Sequence, residues 1–129
     1  MKNVKFYICP HCRNIAEMVY DTDIPLHCCG DQMNELLPGT VEASTEKHIP
    51  AVKVGEGYVE VNVGSVDHPM VEVHWIEWVQ VVTDQGSYRK YLNPGQAPKV
   101  SFLLHSDEKP LEVYAYCNLH GLWKTELKG

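Results

Sequence analysis

Five cysteines and seven histidines are the residues best able to do chemistry in this chain of 129 residues. Cys9 and Cys12 form a C-x-x-C pair near the start, and Cys28 and Cys29 follow as direct neighbours. Four thiolates suit a tetrahedral site for Zn²⁺ or a single iron, and the ligands alone favour zinc. A zinc ribbon normally has a second C-x-x-C, so the adjacent pair predicts a different chain path and a distorted tetrahedron.

A disulfide framework is the alternative use of these cysteines. An odd number of cysteines fits such a framework poorly, and clustered cysteines in a reducing cytoplasm are more often metal ligands. A bond between the adjacent Cys28 and Cys29 would rarely meet disulfide geometry without strain. We therefore expect the four cysteines to hold a metal.

A second group of candidate ligands lies later in the chain. Cys117 and His120 are separated by two residues, the spacing of a chelating pair on one loop. A lone histidine in a β-domain is usually an ordinary surface or core residue, and Cys117 alone could be a small buried hydrophobe. Spacing does not establish that these residues converge. Three more histidines have distinctive neighbours: His48 in Glu46-Lys47-His48-Ile49-Pro50, His68 in Asp67-His68-Pro69-Met70, and His74 in Val73-His74-Trp75-Ile76.

Composition limits the classes of function. Hydrophobic residues make up 44% and charged residues 22%, which is typical of a soluble globular protein. Seventeen acidic against eleven basic residues give a formal charge of −6, and no Lys/Arg cluster indicates a nucleic-acid partner. Apolar runs are far shorter than the ~20 residues that cross a bilayer. No signal-peptide core follows the start, so we expect a cytoplasmic protein without a membrane partner.

The cysteine distribution predicts two domains. Residues 1–36 are too few to bury a sizeable core and would need a metal staple to fold. Residues 37–129 alternate between strand-like runs and Gly/Pro turns, and the join lies at Leu36-Leu37-Pro38-Gly39-Thr40. Several short strands at this spacing predict an all-β fold, with an immunoglobulin-like β-sandwich as the larger domain.

Individual strands follow from alternation of apolar residues. Val59, Val61 and Val63 should share one face of a strand over 57–63. The run 71–82 predicts one long strand, with His74 on the same face as Ile76 and Trp78. Further strands are predicted over 88–92, 100–104, 111–116 and 122–127.

The order of these motifs resembles a known family. Cys9-x-x-Cys12 followed by Cys28-Cys29 resembles the desulforedoxin domain. The remaining motifs resemble the neelaredoxin-like superoxide reductase domain, and together they resemble the two-iron desulfoferrodoxins over nearly the whole chain. These motifs are Glu46-Lys47-His48-Ile49-Pro50, His68-Pro69-Met70, His74-Trp75-Ile76 and Cys117-Asn118-Leu119-His120-Gly121.

The resemblance implies two iron ions per chain. The first would be a distorted Fe(Cys)₄ centre held by Cys9, Cys12, Cys28 and Cys29. The second would be an Fe(His)₄Cys centre held by His48, His68, His74, His120 and Cys117. We also expect a backbone N–H of Asn118, Leu119 or His120 to bond to the Cys117 sulfur and tune the site.

The implied activity is one-electron reduction of superoxide to hydrogen peroxide without evolution of O₂. A rubredoxin-like protein would supply the electrons, and the family suggests a homodimer. Catalytic roles fall to Lys47, which would attract superoxide and help to protonate the product through water, and to Glu46, which would bind the oxidised iron after peroxide leaves. Without the resemblance, the two would be an ordinary solvated loop pair.

Three other functions fit parts of the sequence. A non-catalytic zinc or iron binding module would use only the N-terminal cysteines and leave the histidines scattered. A rubredoxin-like electron carrier would have a redox-active first iron and no second site. A superoxide dismutase would evolve O₂ together with peroxide.

Overall fold

The computed structural model describes residues 4–127 and divides them into two compact units, one ending at Leu37 and the other beginning at Pro38. The termini of the two predicted domains, residues 1–3 and 128–129, lie outside the described residues. The all-β prediction is confirmed, because the described helix content is one four-residue turn. None of the described helical segments is long and apolar enough to span a bilayer.

The first unit is built from short antiparallel strands around a few buried side chains. Phe6, Cys9 and Met33 are its buried residues. A three-stranded sheet has the order β2-β1-β5, and a separate hairpin pairs β3 with β4. The strands are β1 (Phe6–Ile8), β2 (Ile15–Glu17), β3 (His27–Cys28), β4 (Asp31–Gln32) and β5 (Asn34–Glu35).

The second unit is a β-sandwich of a three-stranded sheet, ordered β10-β7-β6, and a four-stranded sheet, ordered β12-β11-β8-β9. All pairings between neighbouring strands are antiparallel. The elements are α1 (Thr45–His48), β6 (Pro50–Gly55), β7 (Tyr58–Val63), β8 (Ile76–Thr83), β9 (Ser87–Tyr91), β10 (Lys99–Leu103), β11 (Pro110–Cys117) and β12 (Gly121–Glu126).

The core lies between the two sheets, and the predicted alternation along β7 is confirmed. Val59, Val61 and Val63 are fully buried while Glu60 between them is exposed. Alternation places every second side chain on the inner face. The other sheet contributes buried side chains from β8 and β11, which include Ile76, Val79, Val81, Val113, Ala115 and Cys117.

The prediction of one long strand over 71–82 is wrong in its first part. β8 begins only at Ile76, and reciprocal backbone hydrogen bonds of 3.0 Å between Val71 and His74 close a turn before it. Val73 is 75% exposed. The apolar alternation misled because the backbone of this segment is hydrogen-bonded by a side chain from another loop, that of Asn118, and not by a neighbouring strand. His74 therefore leaves a turn and not a strand face.

Strand β6 was not predicted from the sequence. Its residues Ala51, Lys53 and Val54 are exposed, so apolar alternation is weak along it. It lies at the edge of the three-stranded sheet, and it begins at Pro50, a position that needs no ladder donor.

Where β8 ends, the buried carboxylate of Glu108 connects the β8–β9 hairpin to the loop between β10 and β11. It accepts hydrogen bonds from Thr83 Oγ1 at 2.5 Å, from the Tyr88 hydroxyl at 2.8 and 2.9 Å, and from the His105 backbone N–H at 3.4 Å. These bonds favour the ionised form. Thr83 first, then Tyr88 and His105, hold the pKa of Glu108 below its ordinary value, against the opposing effect of burial.

We expect Glu108→Gln to lower the thermal unfolding midpoint at neutral pH. A folded-state pKa below the unfolded one stabilises the fold above the ordinary carboxyl range, and that stabilisation is lost as pH falls through the folded pKa. The difference in thermal unfolding midpoint between wild type and variant should therefore become smaller as the pH is lowered. Thermal unfolding between pH 7 and pH 3 checks this. Glu56→Gln, at an exposed glutamate, is the control, and equal effects of both variants at every pH would contradict the assignment.

Candidate metal centres

Cys9 to Cys12 form a tight knuckle around one sulfur. The backbone N–H groups of His11 and Cys12 both donate to Cys9 Sγ at 3.4 Å. The turn is closed by a 3.1 Å bond from Arg13 N–H to the Cys9 carbonyl and a 2.9 Å bond from Cys9 N–H to the Asn14 carbonyl. Cys9 Sγ is thereby buried and surrounded by donors, which suits a thiolate.

The adjacent cysteines sit on a two-residue hairpin. Cys28 pairs with Asp31 in the ladder, so Cys29 and Gly30 are the two loop residues. Both have positive φ, 54° and 81°, as a type I′ turn requires. This is the different chain path that a Cys-Cys pair demands. Because the backbone at Cys29 is left-handed, the sulfurs of the adjacent Cys28 and Cys29 can both point toward Cys9 and Cys12.

The four sulfurs form one cluster and no disulfide. All four Sγ atoms lie within 4.8 Å of one another. Cys12 Sγ lies 3.6 Å from Cys28 Sγ, and Cys28 Sγ lies 3.9 Å from Cys29 Sγ. The five cysteines of the chain are all free thiols.

The electrostatics of this cluster fit a bound cation. The N–H of Cys12, and then that of His11, lower the pKa of Cys9 to about 6 despite its desolvation. Neighbouring thiols, Cys12 first, raise the pKa of Cys29 to about 12, and Cys12 is also the main cause of the raised pKa of Cys28. Without a cation the sulfurs resist ionising together. A metal ion removes that conflict, since thiolates are the form that binds metals.

A side-chain pair joins the two halves of the first cluster. His11, in the knuckle, bonds through Nε2 to the Asp31 carboxylate on β4. Asn14 Nδ2 also donates to Cys28 Sγ at 3.8 Å. The sequence motifs did not identify this role of His11. The partner Asp31 is brought to it by the hairpin.

The second group of candidate ligands gathers at one end of the sandwich. His48 ends α1, two residues before β6 begins, while His68 and His74 lie in the connection between β7 and β8. Cys117 ends β11, and His120 directly precedes β12. The pairing Pro50↔Val63 places the start of β6 beside the end of β7 in one sheet. The pairings Ile76↔Cys117 and Cys117↔Gly121 place the start of β8, the end of β11 and the start of β12 side by side in the other. Antiparallel order thus brings together residues far apart in sequence.

The four imidazole rings form a closed square. Neighbouring ring centroids lie 4.6 Å (His48 to His68), 4.6 Å (His68 to His74), 5.1 Å (His74 to His120) and 5.0 Å (His120 to His48) apart. Neighbouring rings are nearly perpendicular. The diagonal from His48 to His74 is longer, 6.4 Å. Such a square presents one nitrogen of each ring to a common centre.

The thiol belongs to the same cluster. The ligand atoms of His48, His74, Cys117 and His120 lie within 4.8 Å of one another. Cys117 Sγ is 3.9 Å from His120 Nδ1. His68 joins through its Nε2, which is 3.1 Å from His48 Nε2. The five residues indicated by the sequence are therefore all brought together.

Hydrogen bonds select the histidine tautomers. His48 Nδ1 lies 2.7 Å from the Ser44 carbonyl, and His68 Nδ1 lies 2.6 Å from the Pro69 carbonyl. Because a carbonyl only accepts, each Nδ1 carries the proton and each neutral ring has a bare Nε2. Two bare nitrogens at 3.1 Å repel each other unless a cation lies between them.

A buried ring nitrogen of His74 also indicates that a cation binds between the imidazoles. His74 Nε2 is buried and has no hydrogen-bond partner within residues 4–127. A buried ring nitrogen without a partner is costly, and a metal ion would satisfy it. The donor set of four imidazoles and one thiolate is one that suits a transition metal such as iron.

Burial keeps the imidazoles in the form that binds metals. Desolvation lowers the pKa of His48 and His74, and lowers that of His68 to about 4. The rings are thus neutral near pH 7, with lone pairs available. Burial raises the pKa of the Cys117 thiol, and two backbone N–H groups, of Leu119 and His120, oppose the rise. Asn118 N–H instead donates to the Trp75 carbonyl at 3.3 Å.

Comparison with known proteins decides the family. The family model described as desulfoferrodoxin matches residues 40–126. The chain belongs to the desulfoferrodoxin family. A desulfoferrodoxin of Nitratidesulfovibrio vulgaris is 46% identical over 95% of each chain. A desulfoferrodoxin homolog of Archaeoglobus fulgidus is 42% identical, over 95% of this chain and 96% of the relative.

Solved structures of superoxide reductases share the desulfoferrodoxin fold. That of Treponema pallidum has a TM-score of 0.82 at 37% identity, over 97% of this chain and all of the other. The one-iron superoxide reductase of Giardia intestinalis has a TM-score of 0.55 at 30% identity and covers 65% of this chain and 99% of its own. The prediction of a desulforedoxin-like unit followed by a β-sandwich is confirmed.

Trp123 supports two of the candidate ligands. Its ring packs on His48, with centroids 4.9 Å apart and planes 31° apart. Its Nε1–H donates to the His120 carbonyl at 3.0 Å. The sequence motifs did not identify this supporting role of Trp123. Its position three residues after His120 was the available signal.

Glu46 and Lys47 lie on α1, in the same helical turn as the candidate ligand His48. Both are exposed. Backbone contacts anchor this segment, because the Glu46 carbonyl accepts bonds from Val66 N–H at 3.0 Å and Ser65 Oγ at 3.3 Å. Gly64 packs so closely that a Cβ there would lie 2.5 Å from the Glu46 carbonyl oxygen.

The charge of Lys47 reaches the imidazole cluster. After burial and the neighbouring His120, Lys47 contributes to the lowered pKa of His74. It also has a smaller effect on His48, after burial and the other imidazoles. A positive charge is therefore close to the second cluster in a chain with a net charge of −6.

Proposed function

We propose that this chain is a superoxide reductase, an oxidoreductase that converts superoxide to hydrogen peroxide by one-electron reduction and releases no O₂. The observation that carries the proposal is the square of four imidazoles with one buried thiol at the end of the sandwich. It is supported by similarity to solved superoxide reductases over most of the chain.

Two iron ions per chain complete the proposal. The domain of residues 1–36 would hold the first through its four cysteines, as a desulforedoxin-like Fe(Cys)₄ centre. The domain of residues 37–129 would hold the second through His48, His68, His74, His120 and Cys117. When bound, the second iron supplies the electron that superoxide receives.

The protein groups prepare this site for a small anion. Four neutral imidazoles and one thiolate leave a ferrous ion with one net positive charge, which attracts superoxide. Backbone N–H groups of Leu119 and His120 oppose the rise in the pKa of Cys117, and they would limit the electron density that the sulfur gives to the metal. Burial of Cys117 and His68 keeps water from competing at these atoms.

Lys47 is proposed as a catalytic residue. Its ammonium would raise the local concentration of superoxide against the overall negative charge. It would also donate protons, through water, to the product. The support is its exposure beside His48 and the effect of its charge on the imidazoles.

Glu46 is proposed to bind the oxidised iron once peroxide has left. We expect Glu46→Ala to leave the rate of superoxide consumption largely unchanged and to alter the visible spectrum of the resting oxidised protein. The backbone carbonyl that anchors α1 is unaffected by this replacement. Pulse radiolysis and visible spectra check the two halves of the prediction. Glu42→Ala, at another exposed glutamate, is the control, and loss of all activity in Glu46→Ala would contradict the role.

Finer parts of the proposal concern partners. We propose a rubredoxin-like electron donor, a homodimer, and a role in removing superoxide in the cytoplasm. Free thiols at all five cysteines are consistent with a reducing compartment. The first iron would either relay electrons or serve mainly to staple its domain.

The decisive experiment combines metal content with product stoichiometry. Purified protein is assayed for iron and zinc, reduced, and mixed with superoxide while peroxide and O₂ are measured. Two irons per chain and one peroxide for each superoxide, without O₂, would support the proposal. One peroxide for every two superoxide, with O₂, would indicate a dismutase. Metal at the cysteine site alone, without superoxide consumption, would indicate a binding module or electron carrier.

A further inference from the structure

Asn118 lies between two candidate ligands, Cys117 and His120, and its side chain reaches the segment that carries a third. Its Oδ1 accepts a hydrogen bond from Trp75 N–H at 2.9 Å. Its Nδ2 donates to the Val73 carbonyl at 3.0 Å. The two bonds hold the backbone on both sides of His74, which is 44 positions away in the chain.

Besides Asn118, the segment that carries His74 is held by Trp75 Nε1–H, which donates to the Leu92 carbonyl at 3.2 Å, and by Ile76 N–H, which donates to Met70 Sδ at 3.4 Å. Val71 and His74 close the turn of this segment by their own backbone bonds, and Val73 is 75% exposed. No strand pairs with this segment within residues 4–127. Three hydrogen bonds connect it to the β11–β12 loop: the two Asn118 side-chain bonds and the bond from Asn118 N–H to the Trp75 carbonyl.

His74 also differs from the ligands whose rings are held directly. His48 and His68 each bond through Nδ1 to a backbone carbonyl. The His74 ring has no hydrogen bond among the described residues, and its buried Nε2 is without a partner. No hydrogen bond fixes the direction of this ring, so its placement depends on its backbone and on the neighbouring rings of His68 and His120. Asn118 holds that backbone.

We infer that Asn118 is a positioning residue that locks His74 to Cys117 and His120, so that three of the five ligands form one rigid group. Cys117 and His120 lie on either side of Asn118 in a loop closed by the pairing of Cys117 with Gly121, while the Asn118 side chain holds the His74 turn. The amide is needed because one group must both accept from an N–H and donate to a carbonyl. The inference rests on a metal at the second site and not on its reaction with superoxide.

The test compares Asn118→Ala and Asn118→Asp with wild type as isolated holoproteins. Asn118→Ala removes both bonds, whereas Asn118→Asp keeps the acceptor and places a carboxylate oxygen against the Val73 carbonyl. Asn93→Ala removes an exposed amide from the same unit and is the matched control. The readouts are iron retained under a chelator, the position of the ferric–thiolate absorption band, the midpoint potential of the second iron, and thermal unfolding.

We expect both Asn118 variants to lose iron affinity at the second site by about 10- to 100-fold, the usual effect of removing a partner that orients a ligand. The second-site band and potential should shift, while the spectrum of the first site and the Asn93→Ala protein stay as in wild type. Variants that unfold earlier but keep the wild-type band, potential and affinity would overturn the inference, because Asn118 would then only stabilise the turn. A wild-type protein without a second iron would overturn this inference together with the proposed second site. Wild-type iron without superoxide reduction would overturn the function alone.

Discussion

Replacing Cys117 with serine is expected to abolish the ferric–thiolate absorption band of the second site and to leave the bands of the first site unchanged. Cys117 is the sulfur of the second cluster and is fully buried. A serine hydroxyl is far less acidic than a thiol and is a hard ligand where a soft one is needed. Visible spectra before and after a mild oxidant, with iron per chain, measure the effect. We expect the second iron to bind at least about tenfold more weakly.

The reciprocal variant is the control for this prediction. Cys12→Ser changes an exposed cysteine of the first cluster and should remove the first-site bands while the second-site band survives. Serine is nearly isosteric with cysteine, so the β-sandwich that carries the second site should tolerate both changes. A wild-type second-site band in Cys117→Ser would contradict the assignment of Cys117 as a ligand.

The second large effect is expected from Lys47→Ile, which should slow the reaction with superoxide by about tenfold, the lower end of the range for electrostatic steering. The lysine charge is felt at the imidazoles, whereas the chain as a whole repels an anion. Added salt should slow wild type because it screens this local attraction over about 10 Å at 0.1 M. In the variant only the overall repulsion remains to be screened, so its rate should stay constant or rise with salt.

Lys53→Ile is the control that distinguishes the effect of the position of Lys47 from the effect of the net charge of the chain. Lys53 is also exposed, on β6, and its replacement removes the same unit charge from a chain of formal charge −6. We expect its rate and salt dependence to remain close to those of wild type, measured by pulse radiolysis at several ionic strengths. Equal slowing by both replacements would assign the effect to net charge and would remove Lys47 from the mechanism.

Several structural features follow from local sequence. The alternation of Val59, Val61 and Val63 predicts a half-buried strand, because side chains of a strand alternate between faces. The adjacent Cys28 and Cys29 predict an unusual chain path, and the hairpin with left-handed backbone at Cys29 provides it. In both places the physical cause acts over a few residues, so the local structure can be predicted from the sequence without knowledge of the tertiary fold.

The turn at His74 shows where local reasoning fails. Apolar alternation through Val71 and Val73 indicates a strand, yet both residues are exposed and β8 starts at Ile76. Asn118, more than forty residues away, supplies the hydrogen bonds that make a turn stable there. A partner at that distance leaves no periodic signal in the segment itself.

The sequence by itself determined the donors: four cysteines near the start, and later one cysteine and four histidines in recognisable motifs. It also determined the all-β class, because strand propensity and turn residues act locally. Only the tertiary structure decided that His48 and His120, 72 positions apart, approach within 3.2 Å, and that Trp123 and Asn118 support the ligands. Convergence depends on which strand ends meet, and antiparallel pairing across two sheets sets that through contacts between distant segments.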